Sequence, residues 1–256
     1  MIYSTKIYNL KHFIHIPLRQ FKSHFIKEKK RFRSVLSHRR RVKWFEQMDP
    51  DVLIKSIIGI NTTVFLGWLY AKQMYTVKRD ASPLKWMQSN FVSGYHNVIQ
   101  QGRFWTLLTS SFSQSDLIHF GVNMFVLYSF GPTVVEIVGR SRFVPFYLLS
   151  GLASSLLSLA YQSSTRQISP MQGSHGASGA IMSSTLVYAL TYPRVPILIY
   201  GILPVPSYLA VGAFIGYDLY KSLRGTSGRI DSAGHLGGAL GGFLYWYLRI
   251  RRGRRF

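Results

Sequence analysis

Between Val52 and Leu248 the chain offers six apolar stretches near the ~20 residues that an α-helix needs to cross a bilayer. They run Val52 to Ala71, Leu117 to Val138, Phe143 to Tyr161, Gly176 to Tyr192, Pro206 to Tyr220 and Ala233 to Leu248. Pro193 stops the fourth, and Phe243, Tyr245, Trp246 and Tyr247 mark the end of the sixth as interfacial. Backbone polar groups in lipid must be satisfied within their own segment, so stretches of this kind fold as helices. The expected class is all-α, a polytopic membrane protein built as a six-helix bundle. Val195 to Pro204 is also apolar, but prolines at 193, 196, 204 and 206 argue against a helix, and an irregular return is expected there.

The formal charge of +22 is unevenly placed. Thirteen Lys/Arg lie between Lys6 and Lys43 against one acid, Glu28, and five arginines (Arg249, Arg251, Arg252, Arg254, Arg255) crowd the C-terminal end. Six spans put both termini on one face. That face, with Arg140, Arg142 and Arg194, collects 21 basic residues, and the opposite face nine: Lys72, Lys78, Arg79, Lys85, Arg103, Arg166, Lys221, Arg224 and Arg229. The arrangement obeys the positive-inside rule, so the basic flanks read as topology determinants beside a lipid bilayer, and no nucleic-acid partner is expected. Three regions follow: a basic N-terminal segment 1–48, a six-span domain 49–250 and a basic tail 251–256. The first 45 residues are nearly acid-free and rich in Phe, Ile and Tyr, which suits a mitochondrial presequence; a cytosolic basic tail is the alternative. The longest apolar run there, Phe13 to Leu18, is too short for a seventh span. Without cysteine the chain has no thiolate metal site and no disulfide.

Polar residues at bilayer depth are costly and tend to mark function. Spans two, four and six all begin at the face opposite the termini, and each opens on a polar motif. Span two carries His119 and Asn123, span four Gly176-Ala177-Ser178-Gly179, and span six Gly234-His235. The polar groups therefore share one shallow depth. Ser178 with His235 has the chemistry of a nucleophile and its base. His119 and Asn123, four apart on one helix face, have donors suited to an oxyanion. His235, Gly238 and Gly242 fall in one narrow stripe, and small residues so spaced let membrane helices approach closely. Close contact of spans four and six would bring His235 within about 3 Å of Ser178. Gly176 and Gly179 leave room for substrate backbone, and the Ser178 amide is a further candidate oxyanion donor. Asp116, Glu136, Asp218 and Asp231 sit at span ends, so the expected base is half of a dyad without an orienting carboxylate.

Other readings compete. Ser150, Ser154, Ser155, Ser183 and Ser184 are read as packing residues, as Gly241 can be. His175 is a second polar wall or an incidental loop residue. His119, His175 and His235 are conceivable zinc ligands, but that leaves Ser178 and the glycine stripe unexplained. A transporter would need polar groups through the midplane. An adaptor that only escorts membrane helices would have no need of both Ser178 and His235.

Gly-Ala-Ser-Gly at 176–179, His-x-x-x-Asn at 119–123 and His-x-x-Gly-x-x-x-Gly at 235–242, in this order on separate spans, resemble the rhomboid intramembrane serine proteases over about Val52 to Tyr247. The resemblance implies Ser178 as nucleophile, His235 as base, and His119 and Asn123 as oxyanion donors. It also implies no cofactor and no metal, and transmembrane protein substrates entering sideways from lipid. Phe104 to Phe112 and Gly176 to Met182 look most like the mitochondrial (presenilin-associated rhomboid-like) branch. That likeness implies the mitochondrial inner membrane, with a dynamin-like fusion GTPase and cytochrome c peroxidase precursor as substrates. The branch commonly carries an additional span before the core, which this sequence does not display. Thr106 stands where the family usually has the arginine of a Trp-Arg pair. Met182 replaces a tyrosine that stacks on the histidine, so a sulfur-to-ring contact with His235 is expected.

Overall fold

The computed structural model describes residues 46–165, 173–199, 202–224 and 232–251. The basic segment before residue 46 and the arginines at 166, 229, 252, 254 and 255 lie outside them, as does Asp231. Contacts divide the chain into two units, and the site lies in the second, Met48–Phe256.

The first helix, α1 (Pro50–Lys78, 29 residues), starts where Asp49 accepts the Asp51 amide and Pro50 supplies a preset φ. Its buried residues Leu53, Ile54, Ile57, Asn61, Phe65, Trp68 and Ala71 recur every three or four positions, while Val52, Ile60, Leu66 and Leu69 stay apolar on the outer side. A helix apolar all round belongs in lipid. A short helix α2 (Ser82–Phe91), a π-turn (His96–Gln100), one α-turn α3 (Thr106–Thr109) and a 3₁₀ turn (Ser110–Phe112) then follow. Next come α4 (Leu117–Val138), capped by Asp116 accepting the His119 amide, and α5 (Arg140–Ser164). After them stand α6 (Ser178–Thr191), α7 (Ser207–Arg224) and α8 (Ser232–Tyr245), the last continuing as a π-helix Trp246–Arg251.

Among the described residues, three helices, α1, α4 and α5, are long and apolar enough to cross a membrane. The other three expected spans are helices of 14, 18 and 14 residues. The fourth is shorter than expected because helix begins only at Ser178, after a non-helical Gly176.

The segment expected to return irregularly is instead an antiparallel hairpin, β1 (Pro196–Ile199) with β2 (Leu203–Pro206). The prolines that argued against a helix are compatible with this ladder. Pro196 faces Pro206 and Pro204 faces Leu198, whereas the alternate pairs Ile197–Val205 and Ile199–Leu203 keep their amides. Proline is tolerated in a two-stranded ribbon because each strand has a free edge.

Leu53, Ile54 and Ile57 of α1, Leu127, Val134 and Val135 of α4, Phe143, Phe146 and Tyr147 of α5, and Ala180 and Val187 of α6 form the main core. Serines handle the closer contacts. Ser150 and Ser183 hydroxyls lie 2.7 Å apart, Ser110 and Ser155 3.3 Å apart, and Ser184 donates to the Ala180 carbonyl. For Ser150, Ser155, Ser183 and Ser184 these are packing bonds, the role read for them in the sequence.

Candidate active site

The α6–α8 contact is made backbone to backbone. A Cβ on Gly238 would overlap the Gly179 carbonyl, and one on Gly242 would stand 2.6 Å from the Ser183 carbonyl oxygen. On its other side, Gly179 is filled by Ser154 of α5, and Gly237 lies where a Cβ would stand 2.6 Å from the Ala153 carbonyl oxygen. Glycine at these positions is what permits α8 to sit between α5 and α6. The stripe His235, Gly238, Gly242 thus lies against α6, with the histidine at the end nearest Ser178.

Ser178 is the first residue of α6, so its amide has no partner within the helix and belongs to the positive end of the helix dipole. The ground over Gly176 is the point of convergence. A Cβ there would stand 3.2 Å from Ser178 Oγ, 3.4 Å from His119 Cε1 and 3.7 Å from the Ser178 amide nitrogen. A side chain would occupy the space a reacting carbonyl needs, and glycine leaves it open. Ser93 and Ser174 hold the loop before it by an isolated antiparallel bridge, and the Gly176 amide donates to the Ser110 carbonyl at 2.9 Å. Asn123, one turn into α4 from His119, is buried, and its Nδ2 has no hydrogen-bond partner among the described residues.

His235 is buried, and its Nε2 has no hydrogen-bond partner among the described residues. The expected serine–imidazole bond is therefore not formed in this structure, although the helices meet as the glycine stripe requires. Such bonds are often long before substrate arrives.

The expectation that no carboxylate stands against His235 is corrected. His235 Nδ1 lies 2.9 Å from Asp218 Oδ2, and Asp218 is buried in α7 rather than placed at a span end. Helix α7 runs on to Arg224, which leaves Asp218 a turn and a half inside it. A signal was available in the sequence: span five ends at the face where span six begins, so residues near 218 and 235 share a depth. The ring against His235 was also missed. Phe214 of α7 packs at 5.5 Å between centroids, whereas Met182 joins an apolar cluster with Ala189, Val211 and Ala239.

His175 turns toward α1: its Nε2 lies 2.9 Å from Ser115 Oγ and its ring 5.6 Å from Trp68. Together with Lys72, Leu84, Gln88, Val92 and Gly173, these residues line a cavity of about 270 Å³. Among the described residues, no three His, Asp or Glu side chains gather as metal ligands. The loop that carries Thr106 in place of the family's usual arginine has a guanidinium nearby. Arg103 Nη1 donates to Asn97 Oδ1 at 2.9 Å and to Ser89 Oγ at 3.0 Å, and Thr106 Oγ1 donates to the Arg103 carbonyl. Asn97 in turn donates to the carbonyls of Gln88 and Val92.

The family model of the rhomboid domain matches residues 101–252, which include every motif above. The chain belongs to the rhomboid family. Its architecture is that of an all-α rhomboid membrane bundle. It is 31% identical over 223 residues to RHOMBOID-like protein 12, mitochondrial, of Arabidopsis thaliana, covering 82% of this chain and 62% of that protein. It is 32% identical to presenilin-associated rhomboid-like protein A, mitochondrial, of Danio rerio, covering 80% of this chain and 49% of that one. With rhomboid protein 1, mitochondrial, of Saccharomyces cerevisiae, identity is 32%, over 78% of this chain and 54% of the relative. The chain thus spans about half to three-fifths of the length of these relatives.

Proposed function

We propose that this rhomboid is an intramembrane serine protease that cleaves transmembrane segments of mitochondrial inner-membrane proteins. The observation that carries the reading is the convergence of Ser178 Oγ, its helix-end amide and His119 around the open space at Gly176. In the proposed reaction, Ser178 Oγ attacks the scissile carbonyl carbon while its proton passes to His235 Nε2. The oxyanion is held by the Ser178 amide, Asn123 Nδ2 and His119. Collapse expels the amine, which takes the proton from His235 and leaves an acyl-enzyme. Water then repeats the sequence and restores Ser178. Oxyanion donors of this kind each contribute on the order of 10²–10³ in rate. Substrate helices should carry small or helix-breaking residues, since an intact helix hides its carbonyls in i→i−4 bonds. Relatives that bear mitochondrial names support the compartment. A dynamin-like fusion GTPase and cytochrome c peroxidase precursor are the substrates to try first. Comparing their precursor sizes in deletion and wild-type cells decides; unchanged processing removes both.

The same reading places six spans in the membrane, the basic termini in the matrix and the site toward the intermembrane space. The competing class is an adaptor that binds membrane helices without cutting them. Labelling of the folded chain by a serine-directed fluorophosphonate separates the two. Modification of the wild type and none of Ser178→Ala is expected. A folded wild type that stays unlabelled would establish the adaptor.

A further inference from the structure

The ribbon between α6 and α7 differs from an ordinary surface hairpin in both its side chains and its edges. From Val195 to Tyr217 the chain has no Asp, Glu, Lys, Arg or His, and Arg194 stands just before that run. Alternate side chains of β1 and β2 sort onto two faces. Ile197, Ile199 and Val205 are half-buried, and Ile197 packs against the cluster of Met182, Ala189, Val211 and Ala239. Ala189 lies in the last turn of α6 and Val211 just past the first turn of α7. The ribbon therefore leans back along helices of the membrane bundle. Its other face is bare: Leu198 is 57% exposed, Leu203 60% and Ile202 84%, beside exposed Pro196 and Pro204.

The edges are stripped of donors. The Ser207 amide donates to the Val195 carbonyl at 3.0 Å, and the Ile202 amide to the Ile199 carbonyl at 3.1 Å. Val195 and Ser207 thus form a hydrogen-bonded pair, and the alternation of an antiparallel ladder extends the series to Ile197–Val205 and Ile199–Leu203. The pairs between them, Pro196–Pro206 and Leu198–Pro204, aim their backbone nitrogens outward. Three of those four nitrogens belong to proline, so in these pairs only the Leu198 amide faces out. A ribbon in water has no need to lose its outward donors, whereas in an apolar medium each unpaired N–H is costly. Edge prolines also discourage pairing with another strand, but charged side chains serve that purpose equally well, and none is present here. The outward carbonyls set a limit on depth. An open edge does not occur within the hydrocarbon core, but at headgroup level water can donate to it. Tyr192 just past α6 and Tyr208 at the start of α7 are both exposed, as rings of an interfacial belt are.

We infer that the β1–β2 ribbon is a lipid-seated wedge, whose bare face of Leu198, Leu203 and Ile202 inserts at the headgroup–acyl boundary of the bilayer. The partner is the bilayer itself: an apolar face without charged or hydrogen-bonding side chains specifies contact area and not register. Arg194, exposed at the root, stands where anionic headgroups would meet it. The wedge rests on the membrane bundle alone and stands whether or not Ser178 is a nucleophile.

The chain has no cysteine, so single-cysteine variants each carry one nitroxide label. Leu198→Cys and Leu203→Cys report on the bare face. Gln101→Cys, exposed after the π-turn, is the water reference, and Leu149→Cys, 65% exposed on α5, is the lipid reference. With the full chain in phosphatidylcholine–phosphatidylglycerol vesicles, power saturation compares collisions with oxygen, which partitions into lipid, and with a water-soluble nickel chelate. Labels at 198 and 203 should gain oxygen collisions and lose nickel collisions relative to Gln101, approaching the values at Leu149. Nickel collisions equal to those at Gln101 would put the ribbon in water. Loss of both kinds would put it under protein, a second copy of this chain included. Either result overturns the inference. Leu198→Asp and Leu198→Phe give a reading without a label. Melting in the same vesicles should fall for the aspartate, because a charge is costly in lipid, and hold for the phenylalanine. An aspartate variant that melts like wild type contradicts the wedge.

Discussion

Helix α8 is held on two sides by different means. Toward α5 and α6 it presents glycine, and the contact is backbone against backbone: Gly238 on Gly179, Gly242 on Ser183, Gly237 on Ala153. Toward α7 it presents His235, and the contact is side chain against side chain, through Asp218 and Phe214. Glycines 212 and 216 of α7 meet nothing within 4 Å, and Tyr208, Leu209, Tyr217 and Leu219 of that helix are exposed. The distance between α6, which bears Ser178, and α8, which bears His235, is thus set by atoms that cannot change rotamer. The orientation of the imidazole is set by atoms that can.

That contrast can be broken by substitution, and the largest effect is expected at Gly238. Gly238→Val should abolish cleavage and lower the melting temperature sharply, because the overlap is with a carbonyl oxygen that no rotamer change relieves; overpacking of this type costs about 1–3 kcal/mol or more. Thermal unfolding in detergent, followed by tryptophan fluorescence, measures it. Near-native melting would mean that α6 and α8 do not meet at Gly179. Gly242→Ala stands one turn deeper toward the other face and should lower stability by a smaller amount, about 1–2 kcal/mol, while the surviving folded protein still labels with fluorophosphonate. Loss of labelling without loss of melting there would tie Gly242 to chemistry rather than packing.

Tyr161→Phe tests the side held by side chains. The Tyr161 hydroxyl donates to the Ser222 carbonyl at 3.1 Å and so ties the end of α5 to that of α7. Its removal should cost about 0.5–1.5 kcal/mol, visible as a small melting shift with KM for the reporter altered more than the rate of fluorophosphonate labelling. Gly216→Ala should be nearly silent, or stabilising by up to about 1 kcal/mol from helix propensity, since a Cβ there has open space. A large loss would show that α7 is packed more tightly than described.

The sequence made the backbone-held side legible and the other side much less so. Small residues at offsets of three and seven from His235 predict close helix approach by geometry alone, and α4 has the bounds that apolarity and Asp116 assign it. Asp218 escaped because two residues of helix were credited beyond it, whereas α7 continues for six. Local pattern also does not say which helix faces an imidazole. That contact joins two separate helices, and it is decided by where α7 docks. Phe214 was missed for the same reason. The hairpin at 196–206 was hidden by prolines, which count against a helix interior but are tolerated on an edge strand. Arg103 was counted as a surface cation, although its bonds to Asn97 and Ser89 hold the loop in which Thr106 offers no guanidinium.

The central claim, that Ser178 and His235 cut a peptide bond within the membrane, is tested most directly by reconstituting the chain in proteoliposomes with a transmembrane reporter and mapping the product by mass spectrometry. The account predicts a cut at a small or helix-breaking position near the membrane face that holds Ser178, lost in both Ser178→Ala and His235→Ala. Cleavage that persists in folded Ser178→Ala, or a wild type that binds the reporter and leaves it intact, would contradict it.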